Sequence, residues 1–234
     1  MRPIGFSTGA ISRGDFRAAL DTLAHTDADA VELSALRAGE LPGLIAALPS
    51  LDLARFRHVA VHAPSRYEPG EERAIVRLLG EAAGRGFDVV VHPDAMCDVA
   101  AWEPLGARLC VENMDKRKPV GRTAEELASY FDRLPEAGLC FDVAHARQVD
   151  GSMLEGRRIL TRYRDRLRQL HVSEVATDSR HVRVSAGAQG DFRTLAELVP
   201  PDVPLIIESV VTPSEVVVEL QTIRGLYADA LVFA

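Results

Sequence analysis

Seven times along this chain a short apolar run of strand character stops at a side chain that can bind a metal: Glu32, His62, His92, Glu112, Asp142, His171 and Glu208. The runs are rich in β-branched residues, as in Val59–Val61 before His62, Val89–Val91 before His92 and Leu205–Ile207 before Glu208. That is the composition of strands buried on both faces. Successive end residues lie 30, 30, 20, 30, 29 and 37 positions apart, about the length of a strand, a helix and two loops. The repeat is therefore βα. With a first strand over Ile4–Thr8 it predicts eight units and a single α/β domain over residues 1–234, a parallel (β/α)8 TIM barrel. In such a barrel the C-terminal strand ends open on one face, so these imidazoles and carboxylates converge there as a candidate metal centre.

Composition bears on partners. The 234 residues and 47% hydrophobic content suit one barrel core. Asp plus Glu exceeds Lys plus Arg by 34 to 27, a net charge of −7, whereas proteins that grip duplex phosphates usually carry a basic patch. A nucleic-acid partner is not expected, and a small-molecule substrate is. One basic cluster, Arg157, Arg158, Arg162, Arg164, Arg166 and Arg168, reads as a solvated helix face. No apolar stretch approaches the roughly 18 residues of a membrane span, and Met1-Arg2-Pro3 leads straight into a strand, so the expected compartment is the cytoplasm. Cys97, Cys110 and Cys140 are odd in number and lack paired spacing. They read as reduced core residues.

Along the chain, the first helix is expected near Asp15 to Leu23, with Ser12 or Gly14 near its start, and the second from about Glu40 to Leu48. Pro64 stops strand three and opens a loop through Ser65, Arg66 and Tyr67; a helix follows over about Glu71 to Arg85. The stretch Asp98 to Leu105 has room for a turn or two. Thr123 with Glu126 predicts a capping box for the fifth helix. The sixth is expected over Met153 to Leu167, and Glu174 to Asp191 forms a longer loop, a candidate lid. Pro213 is placed in the first turn of the last helix, and Ala230 to Phe233 could pack against the closed end.

On these residues the chain resembles the xylose isomerase-like TIM-barrel superfamily of sugar isomerases, epimerases and endonuclease IV-like proteins. The resemblance rests on Glu112, Asp142, His171 and Glu208 in order on strands five to eight, with the strings His62-Ala-Pro, His92-Pro, Glu112-Asn113, Asp142-Val-Ala-His145 and His171-Val-Ser-Glu174. It implies one divalent ion, manganese, zinc or iron, on those four residues. In endonuclease IV-like members a histidine from each of strands three and four joins the strand-five glutamate on another ion, and His62 and His92 match that pair. A further ion there sits on a histidine three residues after the strand-six aspartate and on an Asp-x-His. His145 and His181 match, but Ser179 stands where the aspartate would be, with Asp178 one position away. Pairing through outer helices, a homo-oligomer, is also compatible with the resemblance.

The chemistry divides on the number of ions. One ion could chelate a hydroxy-ketone while Glu112 and Glu208 exchange its proton, with His145 as a further catalytic contact. Two ions would activate water against a phosphate ester. The sequence leans to an isomerase or epimerase of a small sugar, sugar phosphate or hydroxy-ketone, because acidity disfavours DNA while the Glu-Asp-His-Glu set suits either chemistry. A multinuclear phosphoesterase is the alternative, and a non-catalytic metal-holding protein the second. Glu32, Glu174, Arg180 and Arg183 are candidate substrate contacts, Glu32 also a candidate for orienting His62 or another ligand. His25 and His58 precede strands and read as structural residues of the closed end.

Overall fold

The computed structural model describes residues 2–228, so the Ala230 to Phe233 stretch lies outside the described residues. Eight parallel strands close into a barrel: β1 (Ile4–Ser7), β2 (Ala30–Ser34), β3 (His58–His62), β4 (Asp88–Val91), β5 (Leu109–Glu112), β6 (Gly138–Asp142), β7 (Leu167–Val172) and, after a hairpin of β8 (Glu174–Val175) and β9 (His181–Val182), β10 (Leu205–Ile207). Neighbours in the barrel follow chain order, and β1 closes the ring against β10 through Ile4↔Leu205 and Phe6↔Ile207. Where β1 meets β2, a Cβ on Gly5 would lie 1.6 Å from the Ala30 carbonyl oxygen. Only glycine permits that approach.

The helices are α1 (Thr8–Ser12), α2 (Phe16–Ala24), α3 (Leu41–Ala47), α4 (Glu72–Gly84), α5 (Ala124–Arg133), α6 (Val143–Val149), α7 (Leu154–Arg162), α8 (Ala186–Ala196) and α9 (Val216–Ala228). Between β4 and β5 there is only 3-10 helix, a turn at Pro93–Ala95 and then Val99–Arg108, broken at Gly106. Residues on the outer face of the strands, such as Phe6, Leu33, Val61, Val91, Val111, Phe141, Leu170 and Ile207, join the helices in one continuous core. Inside the barrel Val90, Cys110 and Cys140 form a separate small cluster. Each lies two residues before His92, Glu112 or Asp142, so strand alternation stacks the candidate ligands directly above them. No helix among the described residues is long and apolar enough to cross a membrane.

Local expectations hold with several corrections. Asp15 caps α2 by accepting from Ala18 N at 3.0 Å, while Ser12 ends the short α1. Thr123 does cap α5, accepting from Glu126 N at 3.1 Å, but the Glu126 carboxylate turns to Arg122 N and the Arg122 guanidinium instead of completing a box. The segment Met153 to Leu167 is divided: α7 stops at Arg162, a 3-10 turn covers Arg164–Arg166, and Leu167 already begins β7. The stretch Glu174 to Asp191 is not a plain loop. It folds as the antiparallel hairpin of β8 and β9, followed by the start of α8. Pro213 lies in a turn ahead of α9. Cys97 is exposed, unlike Cys110 and Cys140, because its segment runs along the rim. Of the arginine cluster, Arg157, Arg158 and Arg162 pair with Glu197, Glu155 and Glu125, and Arg168 reaches Asp88.

Candidate metal centre

Glu112, at the end of β5, is buried at the centre of the barrel mouth. Its Oε2 lies 3.2 Å from His62 Nε2, 3.4 Å from His92 Nε2 and 3.5 Å from His171 Nδ1, and its Oε1 is 3.2 Å from His145 Nδ1. Among the described residues three groups of donor atoms share it, two of them built from imidazole and carboxylate alone. In each of these two, every donor lies within 4.8 Å of the others: His62, His92 and Glu112 in one, Glu112, Asp142, His171 and Glu208 in the other.

Local backbone chemistry sets these side chains. Asp142 and His171 are register partners at the ends of β6 and β7. Asn113 ties β5 to β6, its amide donating to Asp142 O at 2.9 Å and accepting from Asp142 N at 2.8 Å. Asp142 also caps α6, where Oδ1 accepts from His145 N at 2.7 Å. That leaves Oδ2 buried without a partner. His62 Nδ1 sits 2.8 Å from the Ala63 carbonyl oxygen. Donation there fixes the tautomer with its lone pair on Nε2, toward Glu112.

The donor set fits a cation. Asp142 Oδ2 and His171 Nδ1, both on the side of Glu112 and Glu208, are buried polar atoms with no hydrogen-bond partner, a costly condition unless something positive completes them. His171 Nδ1 faces carboxylate oxygens of Glu112 and Glu208 at 3.5 Å each. Imidazole and carboxylate together suit zinc, manganese or iron(II).

Titration behaviour reflects the same crowding. Burial would raise the Glu112 carboxyl, but His171, His92 and the hydrogen bonds from His145 and His171 hold it well below the usual carboxylate range. Burial would lower the imidazole of His62, yet its hydrogen bond to Glu112 and the charges of Glu32 and Glu112 push it up to about 9. His145 is opposed by burial and raised by Asp142 and Glu112 to about 10. His92 goes down: burial, His62 and Lys118 outweigh Glu112. Cys140 reaches a donor group with Glu112 and His171, but burial first, against the pull of His171, pushes its thiol up and keeps it protonated.

The other candidates divide. His145 and His181 meet edge to face with ring centroids 5.5 Å apart. His181 Nδ1 is 2.8 Å from Ser173 Oγ and 3.5 Å from Glu208 Oε2. No carboxylate from the hairpin joins them: Asp178 Oδ2 accepts from Arg180 Nε at 2.6 Å, and Ser179 takes a left-handed φ of 61°. Glu32 lies inside the barrel, its Oε2 2.9 Å from His171 Nε2. Glu174, Arg180 and Arg183 are not brought into the cavity. Glu174 binds Arg147 and Ser185 N, Arg180 folds onto Asp178, and Arg183 pairs with Glu215 and Glu219. His25 is exposed at the end of α2.

The cavity over the centre holds about 950 Å³, and its basic groups are Arg66, Arg117 and Lys118. Sequence reading did not single out the last two, although Lys116-Arg117-Lys118 closely follows the end of β5. Arg117 donates to the Asp178 carbonyl oxygen, and Lys118 Nζ is 2.8 Å from Asp94 Oδ2. Leu36 and Val210 supply an exposed apolar edge.

Comparison with known proteins agrees with this architecture. Endonuclease IV from Thermus thermophilus superposes with a TM-score of 0.65 at 19% identity, covering 97% of this chain and 99% of the other. A candidate sugar phosphate isomerase/epimerase from Anabaena variabilis superposes at 0.57 and 15% identity, covering 94% and 88%. At those identities the likeness is one of fold. No curated protein matches by sequence. The family profile described as xylose isomerase-like TIM barrel matches residues 57–209, β3 to the end of β10, and the chain belongs to that family.

Proposed function

We propose that the protein is a metal-dependent hydrolase of small phosphate esters that works with two divalent ions sharing Glu112. The observation that carries this reading is the second donor group. Glu112, Asp142, His171 and Glu208 alone would serve the isomerase chemistry that the sequence favours, but His62 and His92 converge on the same Glu112 carboxylate within 4.8 Å. Its Oε2 faces His62 and His92 of one group and His171 of the other, so this carboxylate would be common to both ions. When bound, the pair supplies Lewis acidity, acidifying water and neutralising phosphate charge.

The chain's own residues do the rest. His62 and His92 would hold one ion, Asp142, His171 and Glu208 the other, with Glu112 common to both. His145 Nδ1, 3.0 Å from the Asn113 carbonyl oxygen, also lies 3.2 Å from the remaining oxygen of Glu112. Around the opening Arg66, Arg117 and Lys118 favour an anionic substrate. They are few, on a chain of net charge −7, which favours a small ester over duplex DNA.

The test is to load the purified protein with zinc, manganese or iron(II), count ions per chain, and screen small phosphomonoesters and phosphodiesters for phosphate or alcohol release. Two ions and hydrolysis abolished by Glu112→Gln support the proposal. One ion per chain, with isomerisation of a keto-sugar and no ester hydrolysis, would return the site to proton exchange by Glu112 and Glu208.

A further inference from the structure

The interior of a (β/α)8 barrel is ordinarily packed by branched apolar side chains. Here a polar chain runs through it beneath the metal centre. His171 Nε2 is 2.9 Å from Glu32 Oε2. Gln169 Nε2 donates to the same oxygen at 2.7 Å, and Gln169 Oε1 is 2.8 Å from His58 Nε2 on the first residue of β3. Glu32, Gln169 and His171 are fully buried, and Gln169 lies two residues before His171 on β7, so both point inward.

We propose that Glu32, held in place by Gln169 and His58, is the positioning carboxylate that makes His171 the nitrogen ligand of the ion at Glu112, Asp142 and Glu208. The donors run one way. With Nε2–H on His58 donating to the Gln169 carbonyl, the amide must present its N–H to Glu32. Gln169 Nε2 also lies 2.9 Å from His171 Nε2, but the Glu32 oxygen 2.9 Å from that same ring nitrogen can only accept, so His171 Nε2 carries the proton and Glu32 accepts from it and from Gln169. That fixes the His171 proton on Nε2 and leaves the Nδ1 lone pair facing Glu112 and Glu208. A carboxylate behind a ligating imidazole orients the ring and raises its basicity. His58, which by position alone reads as a structural residue of the closed end, thereby acts on the metal centre through two side chains. None of the three lines the cavity.

The assignment rests on the two-ion reading only for the internal control. Cobalt(II) serves as the probe, with each site's affinity measured by chelator competition and its d–d absorption recorded. Glu32→Gln keeps the shape and one acceptor, so it should fold, but it removes the charge. The four-donor ion is expected to weaken roughly 10- to 100-fold with a shifted spectrum, the range typical for such partners, while the ion at His62 and His92 stays essentially unchanged. Gln169→Leu and His58→Phe should act in the same direction to a smaller extent. A merely structural role would lower thermal stability without selecting one ion. Unchanged affinity and spectrum for the four-donor ion in all three variants would overturn the proposal. So would preferential loss of the ion at His62, since Glu32, His62 and Glu208 also bring donor atoms within 4.8 Å and Glu32 would then be a ligand itself. If the wild type binds a single cobalt ion, the two-ion reading fails, yet the effect of Glu32→Gln on that ion still decides this one.

Discussion

Glu112 and His62, fifty residues apart in the chain, meet with Oε2 and Nε2 3.2 Å apart at the mouth of the barrel. The contact joins the two donor groups, because the same oxygen also faces His92 and His171. Glu112→Gln should therefore abolish tight binding at both positions, and activity with it. His62→Ala should remove one ion and leave the other. Elemental analysis of protein purified without chelator or nickel resin measures both, and an unchanged ion count in His62→Ala would make His62 a substrate contact.

Glu208→Gln separates the groups from the other side. Glu208 groups with Glu112, Asp142 and His171, and with Glu32 and His62, but never with His92; the His62 and His92 ion keeps Glu112, so the expected loss is the other ion, with turnover falling strongly. Metal counting alongside an ester hydrolysis assay checks this. Full turnover would remove Glu208 from the machinery.

The barrel and its convergent ends were readable because both follow from local pattern: the apolar runs set the strands, their spacing set the units, and a strand end in a parallel barrel has one destination. What sequence could not supply was how each side chain spends its atoms. Asp142 gives one oxygen to the α6 cap and keeps the other free, a division visible only once His145 N lies 2.7 Å away. Arg183 resembled a phosphate contact in a loop; Glu219 on α9 holds it at 3.1 Å, its other oxygen accepting from the Val184 amide. Gln169 carried a weak signal, its place two residues before His171, but its partners Glu32 and His58 lie more than 100 residues away.

Proton release should accompany metal binding. In the metal-free chain His62 has a folded pKa of about 9 against roughly 6.5 when unfolded. A raised pKa contributes stability that is fully present below the unfolded value and is lost as pH rises through about 9. Ligation needs the neutral ring, so between those limits the ion must displace a proton, and apparent affinity should climb by up to about tenfold per pH unit for each proton displaced. Zinc titration calorimetry in two buffers of different ionisation enthalpy reads the number directly. Equal heats in both buffers at pH 7.5 would contradict it.

The rim beside the centre depends on a buried carboxylate, Glu72, that belongs to none of the donor groups. Glu72, at the start of α4, accepts from Trp102 Nε1 at 2.9 Å, from Cys97 N at 2.8 Å and from Asp98 N at 2.9 Å. Those donors hold the segment after β4 that brings Asp94, Ala95 and Cys97 to the cavity wall. Trp102 is fully buried, so Glu72→Ala strands an indole N–H where water has no ready access, and the two amides lose charged acceptors. At about 1–3 kcal/mol for each buried donor left unmet, partly relieved by water at the exposed Cys97 end, the expected loss of stability is about 3 kcal/mol. Glu72→Gln keeps one acceptor oxygen and should cost less. Because Asp94 pairs with Lys118, the Ala variant should also raise KM for an anionic substrate more than it lowers kcat. Urea denaturation and steady-state kinetics on both variants test this: an alanine variant as stable as the wild type would mean that the segment after β4 holds its place without Glu72.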